Sequence, residues 1–579
     1  MNWNLKLLYK NLDDPQIKKD IKQSEKAVMA FVKKYKSDSS YLKDPKVLKE
    51  TLDEYEELNS KYGIFTKPYY YTLLSKEIDL NNTELKAKLN KLSHKATKLG
   101  NEIQFFEIKL SKVSKKKQKE FVNSPDLEEY KHFLEMLFAS SKYVLSDKEE
   151  KVFSLTAKPS FGNWINMIEE LLSKQTFKVL GEDLKEKEIS YNEACKYYTS
   201  TNKKVRDRAA KEYDTVNERY IEIAEYEMNS ILERKQIGDE YRGVERPDLR
   251  RHLSTDVDTK VVDTLVEVVT KNFDISKEFY KKKAKLLGQK TIGYHERNVP
   301  ISKVDKEYSF EDGIKIVKDT FYGIDKEFGD ILTSYIENGQ IDAFPKKNKS
   351  GGAYCTKASK NLPTYILLNY NERVTDILTI AHESGHGIHS EFSSKQNALN
   401  DGYSLALAEV ASTFFEDFAL EKILEKTKDE ELIESLKMHS ISDCMNTIFR
   451  QIAFYNFEKE LHSTFREKGY LSHDEISEIF IKHMQAYLGD AVNVDDGMRY
   501  GWIYVSHFRR FFYVYTYASG LLISKYLQSK VREDREFVNG FKDFLSAGSS
   551  RSVKDIFLDM RVDISKREFW ERGIQHIDK

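Results

Sequence analysis

Ile380-Ala381-His382-Glu383-Ser384-Gly385-His386 carries the pattern H-E-x-x-H inside a stretch whose apolar spacing is helical. On a helix His382 and His386 stand one turn apart on one face, so both imidazoles can converge on a single tetrahedral zinc ion. Glu383 lies one residue round from the first histidine, where its carboxylate can reach a water held by the metal and take its proton. That is the minimal equipment for hydrolysing a peptide bond. With 13 His in 579 residues, such a pattern arises by chance in roughly a few per cent of chains, so the surrounding sequence has to decide. Val374, Ile377, Leu378 and Ala381 recur at three- and four-residue spacing and give the motif a face to bury.

The next apolar segment supplies the deciding context. After a break at Asn400-Asp401-Gly402, residues 403–418 read as a second helix whose apolar periodicity is interrupted by Glu409 and Glu416. A seven-residue offset is two helical turns, so both carboxylates share a face. Burying a carboxylate on a largely apolar helix is unfavourable unless it is paired or metal-bound. Glu409 is therefore expected as the third ligand, leaving one position of the zinc for water. Glu416 is placed to accept the second N–H of a ligand histidine and so orient it. Other zinc patterns are excluded by position: a metzincin needs glycine and histidine where this chain has His389 and Phe392, and an inverted H-x-x-E-H is absent. His389 is not counted as a ligand.

Ser350-Gly351-Gly352 before Ala353-Tyr354, followed by Pro363 to Asn369, predicts a small hairpin just ahead of the zinc helix. Elsewhere the pattern is helical. Asp14-Pro15 is a start signal, followed by a stripe of Ile17, Ile21, Val28, Phe31 and Tyr35; Ser146 and Glu149 form a capping box. A polar stretch at Gly181 to Glu188 marks the expected division into an N-terminal helical region, 1–190, and a catalytic region, 191–579.

Composition excludes several classes of function. A hydrophobic content of 40% with only 9 Pro argues against disorder, and a net charge of −1 offers no global field for nucleic acid. The first ten residues lack the apolar core of a signal peptide, and the uncharged run from Phe511 to Ser524 is too short to span a bilayer, so a cytoplasmic protein without membrane partners is expected. Cys195, Cys355 and Cys444 are odd in number and scattered, as reduced thiols would be.

The chain resembles oligoendopeptidase F, a branch of the thimet-oligopeptidase family of zinc metallopeptidases. The likeness is carried by Ser350-Gly-Gly-Ala-Tyr-Cys355, Tyr365 to Tyr370, His382 to Ser390, Ala408 to Thr413 with Glu416, and His507-Phe508 followed by Phe512 to Gly520. These blocks stand in the family's order and roughly at its spacing. A weaker likeness extends upstream through Leu127 to Leu134 and Leu145 to Glu150. Directly after the His-Phe pair, where the family more often has tyrosine, this chain has Arg509 and Arg510.

The resemblance implies a mostly α, large two-lobed metallopeptidase with a deep central channel and a small β-sheet next to the H-E-x-x-H helix. It further implies one zinc per chain on His382, His386 and Glu409, with Glu383 as general base. His507 and Tyr515 would hydrogen-bond the oxyanion, with Tyr513 and Tyr517 as neighbours on the substrate. An edge of the small sheet, at Gly351, Gly352, Ala353 and Tyr354, would take the substrate backbone as an added strand. The expected activity is cleavage of internal bonds in short unstructured peptides. The alternative is a helical zinc carboxypeptidase or dipeptidyl carboxypeptidase that trims C-termini.

Overall fold

The computed structural model describes residues 1–301, 306–494 and 498–577, together with the backbone, but not the side chains, of Asp147 and Cys195. Cys355 and Cys444 are free thiols; the side chain of Cys195 lies outside the described set. The fold is mostly helical, with three small sheets among the described residues. No described helix is long and apolar enough to cross a membrane.

Packing divides the chain into two compact units, each assembled from three segments. The first comprises Met1–Lys142, Asp305–Thr427 and Ser524–Asp563. Its opening helix, Pro15–Tyr35, starts where Asp14 accepts the Gln16 N–H, and it buries Val28, Phe31 and Tyr35 as its stripe predicts. These join Leu48, Leu52, Phe106, Phe121 and Leu134 in an apolar core. The same unit holds a three-stranded sheet of β1 (Ile341–Asp342), β2 (Tyr354–Thr356) and β3 (Tyr365–Leu367), in the order β1-β3-β2. β1 runs parallel and β2 antiparallel to the central β3, so the predicted hairpin is present and β2 is an edge. The N-terminus closes one face of this sheet: the Trp3 indole N–H donates to the Ile366 carbonyl at 2.8 Å, and Trp3, Tyr70 and Leu74 pack on Tyr365 and Leu367.

The chain then enters α1 (Val374–Ser393), whose first turn is closed by the Asp376 carboxylate accepting the N–H groups of Asn371 and Arg373. Val374, Ile377, Leu378 and Ala381 are all buried, which sets the rotation of the helix. α2 (Leu405–Lys426) packs along α1.

The second unit comprises Tyr143–Val304, Lys428–Ile523 and Ile564–Lys579. Its long helices include Lys203–Arg219, Ile221–Arg242, Gln451–Lys468 and His473–Leu488. The polar stretch expected to separate two regions near 190 is the turn of a hairpin within this unit, pairing Thr176–Leu180 with Glu186–Ser190. The opening segment of the first unit ends at Lys142, and the charged residues of the polar stretch are the exposed side of a two-stranded ribbon.

Candidate metal centre

His382, Glu383 and His386 lie on α1 and Glu409 and Glu416 on α2. What lets the two helices approach is Gly385. A Cβ at this position would stand 2.8 Å from Ser412 Cα and 2.9 Å from the Ala411 carbonyl oxygen. The glycine inside H-E-x-x-H thus admits the backbone of α2 one turn beyond Glu409. Ser412, fully buried at this contact, donates its hydroxyl to Glu409 Oε2 at 3.1 Å and fixes the carboxylate.

Nε2 of His382 lies 3.5 Å, and Nε2 of His386 3.7 Å, from Glu409 Oε2. One ligand atom from each of the three residues falls within 4.8 Å of the others. Ligands about 2.0–2.1 Å from a tetrahedral zinc are separated by about 3.3 Å, close to the two histidine–glutamate separations found here. His382 Nδ1 meets Glu416 Oε2 at 2.8 Å, which places the ring proton on Nδ1 and leaves Nε2 as the donor atom.

Charge supports the same conclusion. Burial opposes protonation of His382, yet hydrogen bonding to Glu409 and Glu416 overrides it and raises its pKa well above the usual imidazole range. Burial likewise opposes ionisation of Glu409, but the His382 hydrogen bond and the nearby imidazoles bring it down to about 2. Burial and the His382 charge lower His386 to about 4. The two carboxylates thus favour positive charge within the cluster. Glu383 is 7% exposed, and burial, reinforced by the charge of Glu409, pushes its carboxyl up to about 7. The backbone N–H of Cys355, on β2, hydrogen-bonds it.

β2 is the edge strand beside α1. Leading into it, Gly351 and Gly352 are exposed, and Ala353 and Tyr354 are half-buried. Asn369, which sequence reasoning did not single out, ties this approach down by donating to the carbonyls of Ser350 at 3.0 Å and Gly352 at 2.7 Å. Gly352 takes φ +74°, a left-handed conformation that a side chain would strain. His389 is buried and stacks on Tyr403 with ring centroids 3.7 Å apart.

The expected oxyanion residues belong to the second unit. His507 Nδ1 and the Tyr513 hydroxyl form a short hydrogen bond, and Tyr517 packs 5.8 Å from the His507 ring and 5.7 Å from that of Tyr513. Tyr515 does not join them. Its ring is fully buried against His252 and Tyr455, and its hydroxyl is tied to Thr255. Tyr515, expected as a donor, is thus held in the interior of this unit. The physical reason is helical phase: the helix Tyr515–Glu533 opens here, with Tyr517 N–H bonded to the Val514 carbonyl, so residues 515 and 517 project about 200° apart. Tyr513, just before the helix, lies on the Tyr517 side. Arg509, where this chain departs from the family pattern, is buried with Glu227, donating at 3.0 and 2.7 Å.

Two imidazoles and a carboxylate around one point, with a buried carboxyl alongside, form the donor set of a metal-dependent hydrolase. The chain belongs to peptidase family M3, whose model matches residues 197–576; the oligopeptidase F model matches residues 109–177. An oligoendopeptidase F homolog from Borreliella burgdorferi is 26% identical over 584 residues, covering 99% of this chain and 95% of its own. The oligopeptidase PepF of Bacillus subtilis is 25% identical over 555 residues, covering 94% and 81% respectively. Among solved structures, one from Chlamydophila abortus has a TM-score of 0.82 at 22% identity, covering 100% of this chain and 98% of that one. The oligoendopeptidase F of Enterococcus faecium gives a TM-score of 0.69 at 20% identity, covering 97% and 96%. The fold is therefore shared with structures of this family, and the molecule is a peptidase.

Proposed function

We propose that this peptidase is a zinc-dependent endopeptidase that cuts internal bonds of short unstructured oligopeptides. The observation that carries the proposal is the trio His382, His386 and Glu409 with Glu383 buried beside it on the same helix. A zinc ion on the trio would polarise the scissile carbonyl and lower the pKa of the attacking water.

The protein's own groups do the rest. Glu383, whose carboxyl lies near 7 in its buried setting, takes the proton of the attacking water and delivers it to the leaving amine. Glu416 holds His382 in the tautomer that presents Nε2. The exposed approach to β2 offers main-chain groups to an extended peptide, which binds without demanding a particular sequence. Family likeness carries the oxyanion role to His507 and Tyr515; because Tyr515 is buried and bonded to Thr255 while Tyr517 packs beside His507, the phenol donor in this reading is Tyr517, with Tyr513 bonded to His507. Preorganised donors of this kind contribute roughly 3 kcal/mol each to the transition state.

The name oligoendopeptidase F, borne by relatives along nearly the whole chain, favours internal cleavage over trimming of C-termini. Mass-spectrometric mapping of cuts in a mixed peptide library, half of it blocked at both ends, tests the proposal. Internal cuts in blocked and unblocked peptides alike are expected. Strict dependence on a free C-terminus would establish the carboxypeptidase alternative, and rapid digestion of a stable globular protein would contradict the restriction to unstructured peptides.

A further inference from the structure

Between His507 and Tyr513 the backbone takes a conformation that the sequence alone does not favour. Phe511 and Phe512 are consecutive non-glycine residues with φ of 48° and 56°. Bulky residues rarely adopt left-handed backbone, and where they do the surroundings must over-determine it.

Two side chains from separate helices of the same unit do so. Arg251, on the helix Leu249–Ser254, donates Nε–H to the Phe511 carbonyl at 3.0 Å and caps the Arg510 carbonyl with the same guanidinium. Glu458, on the helix Gln451–Lys468 and fully buried, accepts the Phe512 N–H at 2.9 Å. Its second oxygen has no hydrogen-bond partner among the described residues. His462, one helical turn on, packs its ring 5.0 Å from Phe511 and 4.7 Å from Phe512. Successive carbonyls at 510 and 511 and the N–H at 512 are thus all held from outside the turn. At its two ends, His507 Nδ1 and the Tyr513 hydroxyl meet.

We propose that Arg251 and Glu458 are positioning residues: together they clamp the Arg510–Phe512 turn and thereby keep His507 and Tyr513 in hydrogen-bond contact for catalysis. This rests on the role given to His507 above. The clamp differs from ordinary core packing because its hydrogen bonds go to main-chain atoms of the turn; the Arg251 guanidinium also lies 5.8 Å from the Tyr513 ring centroid. Burial pushes Glu458 up to about 8, so near pH 7 it is a neutral acceptor and an amide oxygen can replace it.

The zinc-loaded full chain carrying Arg251→Met, Glu458→Met or Glu458→Gln tests the proposal, with Arg251→Lys as the substitute should Arg251→Met fail to fold. Arg251→Met and Glu458→Met are expected to lower kcat about tenfold or more, with KM within about twofold and zinc content unchanged; Arg251→Lys, which keeps one donor, should give a smaller loss with the same split. Glu458→Gln should retain kcat. Hydrogen exchange supplies a readout independent of turnover: the Phe512 amide should exchange slowly in the parent and in Glu458→Gln, and fast in Glu458→Met.

Coupling separates positioning from general damage. In a His507→Ala background, Arg251→Met should lower kcat by less than about twofold more, because the clamp acts through that histidine. Full multiplicative loss in that background, or an unchanged kcat in folded Arg251→Met, overturns the clamp. If His507→Ala itself leaves kcat intact, the catalytic role of His507 fails first, and the clamp's catalytic part with it.

Discussion

Gly385→Ala is a one-carbon change at the contact that brings Glu409, the proposed third ligand, to His382 and His386. The new Cβ would lie 2.8 Å from Ser412 Cα, 2.9 Å from the Ala411 carbonyl oxygen and 3.1 Å from Phe415 Cδ2. Carbon atoms pack at about 3.5–4.0 Å, so α1 and α2 must part by roughly 0.7–1 Å. Neither near neighbour on Ser412 or Ala411 can swing aside, since both are backbone atoms. Overpacking of this kind costs about 1–3 kcal/mol, offset by about 1 kcal/mol for the better helix propensity of alanine. Net destabilisation should therefore be modest, at roughly 0–2 kcal/mol. The metal site should suffer more. Glu409 stands one turn before Ser412 on α2, and its present distances of 3.5 and 3.7 Å to the two imidazole nitrogens would widen with the helix separation. Metal–ligand distances tolerate only about ±0.2 Å. Competitive zinc titration alongside thermal melting is the assay: zinc affinity should fall at least tenfold while Tm drops by a few degrees. A variant with parental zinc affinity would refute the claim that this glycine sets the ligand geometry.

Other changes divide the site by role. Glu409→Ala should abolish tight zinc binding, whereas Glu416→Ala should weaken it only ~10–100-fold, as loss of an orienting partner does; zinc titrations ranking the two the other way would reverse their roles. Tyr517→Phe should lower kcat by roughly 100-fold with KM little changed, while Tyr515→Phe, which loses a buried bond to Thr255, should lower Tm and spare kcat; a kcat loss confined to Tyr515→Phe would restore it as the donor. Burial lifts Glu458 from 4.5 to about 8 in the folded chain. Because the folded value is raised, its contribution to stability is fully present below about 4.5 and is lost as pH rises towards about 8. Tm measured across that window should thus fall less steeply in Glu458→Gln than in the parent, and parallel curves would show that Glu458 is not protonated in the fold.

The grouping of the proposed metal ligands was legible in the sequence because helical periodicity turns short spacings into shared faces. His382 and His386 are one turn apart and Glu409 and Glu416 two turns apart, so each pair needed only its helix to be recognised, and the cost of burying carboxylates pointed the second pair at the first. Gly385 gave no such sign: its importance lies in a backbone contact with Ser412, a residue distant in sequence. The aromatic segment misled at Tyr515 because a run of alternating tyrosines looks alike from either face until the start of the helix is known. The turn at Phe511 and Phe512 was illegible, since no glycine marks it and its conformation is imposed by Arg251 and Glu458. The hairpin before α1 followed from its glycines, but the N-terminal Trp3 that closes the sheet and the interleaving of segments between two units depend on contacts hundreds of residues apart.

In the proposed function, zinc on His382, His386 and Glu409 and proton transfer by Glu383 together constitute the peptidase. Elemental analysis of bound zinc, paired with turnover of one blocked peptide by the parent and by Glu383→Gln, tests it most directly. One zinc per chain is expected in both proteins, with a kcat lower by several orders of magnitude in the variant, because the base is lost and the ligands are kept. Near-normal turnover by zinc-loaded Glu383→Gln, or a fully active parent that binds no zinc, would contradict it.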